Sequence, residues 1–93
     1  MDHKLMERYW IKLLAALSFA DTTILIENGK AECKRGKACS TLLFELAELS
    51  KNQDINIACI KAWTTSTGFK LAFFGVPEHL RQRFQNVWGV HWK

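Results

Sequence analysis

The alternation of apolar and polar residues near the start of the chain predicts an amphipathic helix over residues 3–19. Apolar residues recur at helical spacing, and charged residues take the opposite side. The longest charge-free run extends from Leu13 to Ala20, far short of the ~20 apolar residues that a membrane-spanning helix needs. Integral membrane insertion is therefore not expected. The apolar positions of this first helix are Leu5, Met6, Tyr9, Trp10, Leu13, Leu14 and Leu17.

Two further helices follow from the same pattern. Ser40 is a candidate N-cap for a helix that runs through about Lys51. Pro77 opens the last helix, because the first turn of a helix does not need its missing N–H, and Gly89 is expected to end it. The buried positions are predicted to be Leu42, Leu43, Leu46 and Leu49 in the second helix and Leu80, Phe84, Val87 and Trp88 in the third.

Residues 22–27 and 30–35 are predicted to form a first β-hairpin around Asn28-Gly29. This dipeptide tolerates the positive φ angles that both central positions of a type I′ turn require. The turn sets the register, and we expect one face of the hairpin to be buried and the other mostly exposed. The inward face is predicted to hold Ile24, Ile26, Ala31 and Cys33, and the outward face Leu25, Glu27, Lys30, Glu32 and Lys34.

A second hairpin is predicted over residues 55–75, with a loop at residues 64–68 and Trp63 opposite Phe69. Both of its faces are apolar, so both need to be covered. In that register one face holds Ile57, Cys59, Lys61, Trp63, Phe69, Leu71 and Phe73. The other holds Ala58, Ile60, Ala62, Lys70, Ala72 and Phe74.

These elements predict an α+β fold in which one helix precedes a β-β-α-β-β-α core. The four strands form a mainly antiparallel sheet packed against the helices, in the order 2-1-3-4, or in a mixed order 1-2-3-4. The chain of 93 residues is expected to be a single domain with a helix at 1–20, a core at 21–89 and a tail at 90–93. The second and third helices would cover one face, leaving the first helix or another subunit for the other.

The composition indicates a cellular compartment and a small positive net charge. A hydrophobic content of 48% supplies enough apolar area for a core without disulfides. Three cysteines without CxxC spacing or a preceding signal peptide favour the reducing cytoplasm. The net charge of +4 is compatible with an ordinary solvated surface, and it leaves nucleic acid as an alternative partner.

The segment from Ile24 to Trp88 resembles a short bacterial family of unknown function whose members run helix, hairpin, helix, hairpin, helix. The resemblance lies in Ile26-Glu27-Asn28-Gly29-Lys30, Arg35-Gly36-Lys37, Val76-Pro77-Glu78 and Arg81-Gln82-Arg83-Phe84-Gln85-Asn86-Val87-Trp88-Gly89. It implies the same fold and no assigned activity. The N-terminal segment of that family often looks like a membrane anchor, from which Lys12 and the short apolar run depart.

The sequence predicts no catalytic, cofactor or metal site. His3, His79 and His91 lack the spacing of metal ligands. Cys39, near basic residues at a helix start, is read as a half-buried structural thiol because no partner base follows it. A candidate interaction surface comprises Lys34, Arg35, Lys37, Arg81, Arg83, Asn86 and Trp92, and a candidate subunit interface comprises Trp10, Ala58, Ala62, Ala72 and Phe74.

These residues support one leading hypothesis and two alternatives. The leading hypothesis is a small non-catalytic binding protein that forms homo-oligomers, because the second hairpin is apolar on two sides. A basic surface could instead contact nucleic acid. The first helix could instead lie on a membrane surface. A protein partner is expected, and the sequence does not indicate its identity.

Overall fold

A computed structural model describes residues 9–13 and 20–91 of the chain. A helical segment, α1, covers residues 9–13, so the rest of the predicted first helix lies outside the described residues. The remaining elements are β1 (Thr22–Glu27), β2 (Lys30–Arg35), α2 (Ser40–Asn52), β3 (Ile57–Thr65), β4 (Gly68–Phe74) and α3 (Glu78–His91). The predicted α+β class and element order are confirmed.

The four strands form one antiparallel sheet in the order β2-β1-β3-β4. This confirms the all-antiparallel order. It joins the two hairpins through their first strands, and Ile24 lies opposite Ile60. The strands β2 and β4 therefore form the two edges of the sheet.

The first hairpin has the predicted turn and register. Asn28 and Gly29 have φ angles of 52° and 77°, as a type I′ turn requires. The structure pairs Leu25 with Glu32, and an irregularity between Thr23 and Ile24 marks a β-bulge near the end of β2. The prediction of a one-sided hairpin is wrong for β1, because β1 is a central strand and is buried on both faces.

The second hairpin is shifted by one residue from the prediction. Trp63 lies opposite Lys70, and Phe69 lies opposite Thr64. The turn therefore consists of residues 66 and 67 alone. Because side chains alternate between faces, a slip of one residue moves every side chain of β4 to the other face of the sheet.

The N-cap of helix α2 lies one residue before the predicted cap. Cys39 is the N-cap, and its Sγ accepts a hydrogen bond from the Leu42 N–H at 3.4 Å. The predicted cap, Ser40, is the first helical residue. Leu42 and Leu46 are buried as predicted, together with Ser50, whose hydroxyl donates to the Leu46 carbonyl at 2.9 Å.

Helix α3 begins directly after Pro77 and continues past Gly89 to His91. The predicted end at Gly89 is wrong, and residues 90 and 91 are helical rather than part of a tail. Gly89 has no positive φ angle and can therefore remain in the helix. Leu80, Phe84 and Trp88 are buried as predicted.

The core has two parts, one on each face of the sheet. The helix face is the one that α2 and α3 cover, and the outer face is the opposite one. The helix-face core contains Ile24, Ile26, Leu42, Leu46, Ile55, Ala58, Ile60, Ala62, Val76, Leu80, Phe84 and Trp88. The outer-face core contains Ile11, Leu25, Ile57 and Cys59, with Phe74 packed against it.

Candidate functional site

The helical segment α1 is attached to the outer face by Ile11, which is 4% exposed. Gly75 allows this close approach, since a Cβ atom there would lie 2.7 Å from the Ile11 Cδ1 and 2.7 Å from the Ile57 carbonyl oxygen. An ion pair between Lys12 and Glu27, 3.0 Å apart, joins α1 to β1. Apolar and ionic contacts thus hold α1 on the sheet.

The other side of α1 carries an aromatic surface, which consists of Tyr9, Trp10 and Leu13. Their exposed fractions are 67%, 55% and 37%, although all three are large apolar or aromatic residues. The rings of Tyr9 and Trp10 are 6.3 Å apart in an edge-to-face arrangement, which is a favourable geometry for aromatic pairs. Such rings, apolar with a polar tip, are typical of protein and membrane interfaces.

A cleft of about 280 Å³ lies along the outer face of the first hairpin. Its charges are of both signs, and two of them belong to ion pairs, Lys12 with Glu27 at 3.0 Å and Lys34 with Glu32 at 3.1 Å. The lining therefore mixes charges of both signs, and it is not a cluster of one sign that would select an anion or a cation. The lining residues are Leu25, Glu27, Asn28, Lys30 and Glu32.

A polar group lies within the outer face at Lys61, which is 4% exposed. Its Nζ lies 3.5 Å from the hydroxyl oxygen of Thr23, which is fully buried. Burial raises the pKa of the neighbouring Cys59 thiol, and the Lys61 charge lowers it by a smaller amount. A thiol that is buried and holds its proton is not a nucleophile at neutral pH. The sequence pattern places Lys61 on one apolar face of the second hairpin with Cys59, but it does not mark Lys61 as a buried polar group.

The residues of the predicted interaction surface fall into two groups, one at the end of β2 and one in α3. Lys34 and Arg35 lie at the end of β2, and Arg35 donates from Nε to the Ala20 carbonyl at 3.0 Å. Arg81 lies beyond β4, where its Nε donates to the Val76 carbonyl at 3.1 Å and its guanidinium carbon lies 6.0 Å from the centre of the Phe73 ring. The strands β2 and β4 are the opposite edges of the sheet. They lie three strand spacings, or about 14 Å, apart.

The other described residues of that predicted surface lie near the same two groups. Lys37 is exposed in the loop between β2 and α2, and Arg83 and Asn86 are exposed on α3. The Asn86 side-chain oxygen accepts from Gln82 Nε2 at 2.9 Å, a contact within the helix. Trp92 lies outside the described residues. Nucleic-acid binding stays a prediction.

The predicted subunit interface is divided between the two faces. Ala58 and Ala62 are 0% and 2% exposed in the helix-face core, so they are covered within one chain. Ala72 and Phe74 are half-buried on the outer face. Their partners in β3, Lys61 and Cys59, lie on the same face and are buried. The grouping of Ala58, Ala62 and Ala72 on one face is wrong, because it depended on the shifted register.

The edge strand β4 is unusually apolar for its position. Its sequence is Gly-Phe-Lys-Leu-Ala-Phe-Phe, in which Lys70 alone is charged, and none of its seven residues is buried. The opposite edge, β2, alternates charged residues along its outer face. The sequence pattern indicates that this hairpin is apolar on two sides, but it does not indicate that the exposed apolar residues lie along an edge of the sheet.

The cysteines and histidines show no catalytic arrangement among residues 9–13 and 20–91. The Cys39 sulfur caps α2, and Cys33 Sγ donates to the Arg35 carbonyl at 3.2 Å. His91 Nε2 lies 2.8 Å from a Glu45 carboxylate oxygen, a contact that joins α3 to α2. The described part of the chain contains no group of three or more side chains suited to a metal ion.

Within the described residues, none of the helices combines the length and the hydrophobicity needed to cross a bilayer. Comparison with known proteins gave no match to a family model, to a curated protein or to a solved structure.

Proposed function

We propose that this chain is a small non-catalytic interaction protein that acts as a homo-oligomer. The observation that supports it is the composition of β4, in which six of seven residues are apolar or glycine and none is buried. Edge strands of monomeric proteins are normally protected by charges, bulges or covering elements. An apolar edge that remains half-exposed on both faces is typical of an interface.

The free thiols agree with the compartment in which we propose that the protein acts, the reducing cytoplasm of a bacterium. Cys33, Cys39 and Cys59 are all free. Cys33 and Cys39 have structural contacts through their sulfur atoms, which oxidation would disturb.

Sedimentation equilibrium of the full chain tests the proposal. We expect the weight-average mass to rise above that of the 10.7 kDa monomer as the concentration increases from low micromolar to millimolar. A monomer over the whole range, at both low and physiological salt, would contradict the oligomer. The two salt conditions are needed because the net charge of +4 makes copies repel one another when screening is weak.

A second candidate function, peripheral association with membranes, is supported by the aromatic surface of α1. Tyrosine and tryptophan rings favour the boundary between water and lipid, and the net positive charge attracts anionic lipid. Ile11 attaches α1 to the sheet, so the aromatic surface faces away from the domain.

Co-sedimentation with vesicles tests the second candidate with a matched pair of variants. Trp10→Ala removes an exposed ring from α1, whereas Phe44→Ala removes an exposed ring from α2, on the other side of the sheet. We expect the wild type and Phe44→Ala to bind vesicles that contain anionic lipid, and Trp10→Ala to bind several-fold less. Equal binding by the two variants would exclude the aromatic surface as the contact.

A further inference from the structure

We propose that two copies of the chain pair through β4, antiparallel and about a two-fold axis at Leu71, to form a continuous eight-stranded sheet. This inference rests on the proposed homo-oligomer and specifies its interface. In this register Lys70 of each copy lies opposite Ala72 of the other. The partner is a second copy because an antiparallel strand pair can be symmetric, so that one strand is complementary to itself.

The orientation of the β4 backbone follows from one hydrogen bond. The Thr64 N–H donates to an Asp21 carboxylate oxygen at 2.6 Å, and Asp21 directly precedes β1. The backbone polar groups of Thr64 therefore point toward β1 and away from β4. In an antiparallel pair the residues alternate between hydrogen-bonded and non-hydrogen-bonded positions, so Thr64 and Phe69 form a non-hydrogen-bonded pair.

The same alternation applies along the rest of β4. Lys70 and Ala72 point their backbone groups toward their β3 partners, Trp63 and Lys61. Leu71 and Phe73 consequently point their N–H and C=O groups outward, at the edge of the sheet. Among the described strands, β4 pairs with β3 alone.

The two edges of the sheet differ in the devices that prevent pairing. On β2, Lys30, Glu32 and Lys34 place charges along the outer face, and the β-bulge interrupts the ladder. Charged side chains and bulges are the usual protection of an edge against another chain. On β4 the register with β3 is regular, and Lys70 is the one charged residue. Within residues 9–13 and 20–91, the sheet is therefore protected at one edge and open to pairing at the other.

Lys70 selects the register. An axis at Lys70 would place two lysines directly opposite each other, and like charges in that position oppose pairing. An axis at Leu71 avoids this contact and pairs all seven residues of the strand. It also covers side chains that are half-buried in one copy, Leu71 and Phe73 on the helix face and Ala72 and Phe74 on the outer face.

Disulfide trapping tests the register directly. In the proposed dimer Lys70 and Ala72 of the partner copy form a non-hydrogen-bonded pair, whose Cα atoms lie about 4.5 Å apart, within the range of a disulfide. Two copies of position 70, or two of position 72, lie about 8 Å apart, beyond that range. Cys33→Ser and Cys39→Ser provide the background, and Ser at position 39 preserves a capping oxygen.

We expect a mixture of the Lys70→Cys and Ala72→Cys proteins to form disulfide-linked dimers under mild oxidation, and neither protein alone to do so. Efficient cross-linking of either protein with itself would overturn the register. Failure of the mixture to cross-link, while sedimentation still shows an oligomer, would overturn the β4 pairing and leave the proposed oligomer intact. A monomer in sedimentation would overturn both.

A charge-swap experiment provides an independent measurement without cysteine chemistry. Ala72→Lys places a lysine opposite Lys70 of the partner copy at two symmetric positions, and we expect the dissociation constant to rise on the order of 10-fold. The double variant Lys70→Glu with Ala72→Lys creates two opposite-charge pairs and should restore association. Because Ala72 also lies opposite Lys61 within one copy, circular dichroism confirms that each variant folds. Folded variants with unchanged association would contradict the interface.

Discussion

Replacing Gly89 with alanine distinguishes the helix that the structure shows from the helix end that the sequence predicts. If Gly89 ended α3 in a left-handed conformation, alanine would be strained there and would destabilise the protein by about 1–2 kcal/mol. In the structure Gly89 is helical and is followed by two more helical residues. Alanine should then stabilise the protein, because glycine in a helix costs up to about 1 kcal/mol relative to alanine.

The local space permits the added methyl group. A Cβ atom at position 89 would lie 3.7 Å from Cζ and 4.0 Å from Cε1 of the Phe69 ring, which is ordinary van der Waals contact. Because the position is in the last turn, we expect a gain of about 0.5 kcal/mol in the free energy of unfolding. The corresponding rise in melting temperature is about 2–4 °C for a domain of this size.

Urea unfolding and thermal melts of the wild type and the variant measure this difference. Gly36→Ala is the matched control, since Gly36 has a φ of +80° and an added Cβ would collide with the Asp21 carbonyl oxygen and with Thr22. That control should lose more than about 1 kcal/mol. A loss of similar size in Gly89→Ala would refute the helical assignment and favour the end that the sequence predicts.

Three further predictions concern the core and the strand ends. Phe84→Ala should lower the free energy of unfolding by about 3–5 kcal/mol, because the ring is fully buried and packs edge-to-face with Phe73 at 6.3 Å. Chemical denaturation measures this difference, and a loss below about 1 kcal/mol would contradict the packing. Asp21→Ala should cost about 0.5–1 kcal/mol by removing the acceptor of the Thr64 N–H, and faster amide exchange at Thr64 would accompany it. Burial raises the pKa of Cys59 above its ordinary value of 9.0, so the unfolded thiol loses its proton first as pH rises. The free energy of unfolding should therefore fall above about pH 9 more steeply in the wild type than in Cys59→Ala, and parallel pH profiles would disprove this contribution.

The two hairpins show why part of the fold could be predicted and part could not. Asn28-Gly29 allows one compact turn, and that turn determines the register of β1 with β2. Ser66 and Thr67 carry no comparable preference, so the apolar pattern alone had to align β3 with β4. Since both faces of this hairpin are apolar, a register shift of one residue still places apolar side chains on both faces. The apolar pattern therefore does not distinguish the two registers.

The candidate surfaces depended on information that the linear sequence does not contain. Arg35 and Arg81 belong to similar basic motifs, yet the strand order places them at opposite edges of the sheet. Residues that the shifted register grouped on one face, such as Ala62 and Ala72, lie on opposite faces. The side of α1 that meets the sheet was also predicted wrongly: Ile11, which the predicted apolar stripe did not include, is buried there, whereas Trp10 of that stripe is exposed. A role for Trp10 at a subunit interface stays a prediction.

The pairing of β1 with β3 forms the seam between the two hairpins, and this seam has a consequence for folding. Each hairpin can form from contacts between neighbours in sequence, whereas Ile24 meets Ile60 only after all of β2 and α2 have been enclosed in a loop. Closing a loop of this length costs about 3 kcal/mol of chain entropy before the seam contributes any contact. Joining of two preformed halves is therefore expected to limit the folding rate, and substitutions in the seam should slow folding more than those in either turn.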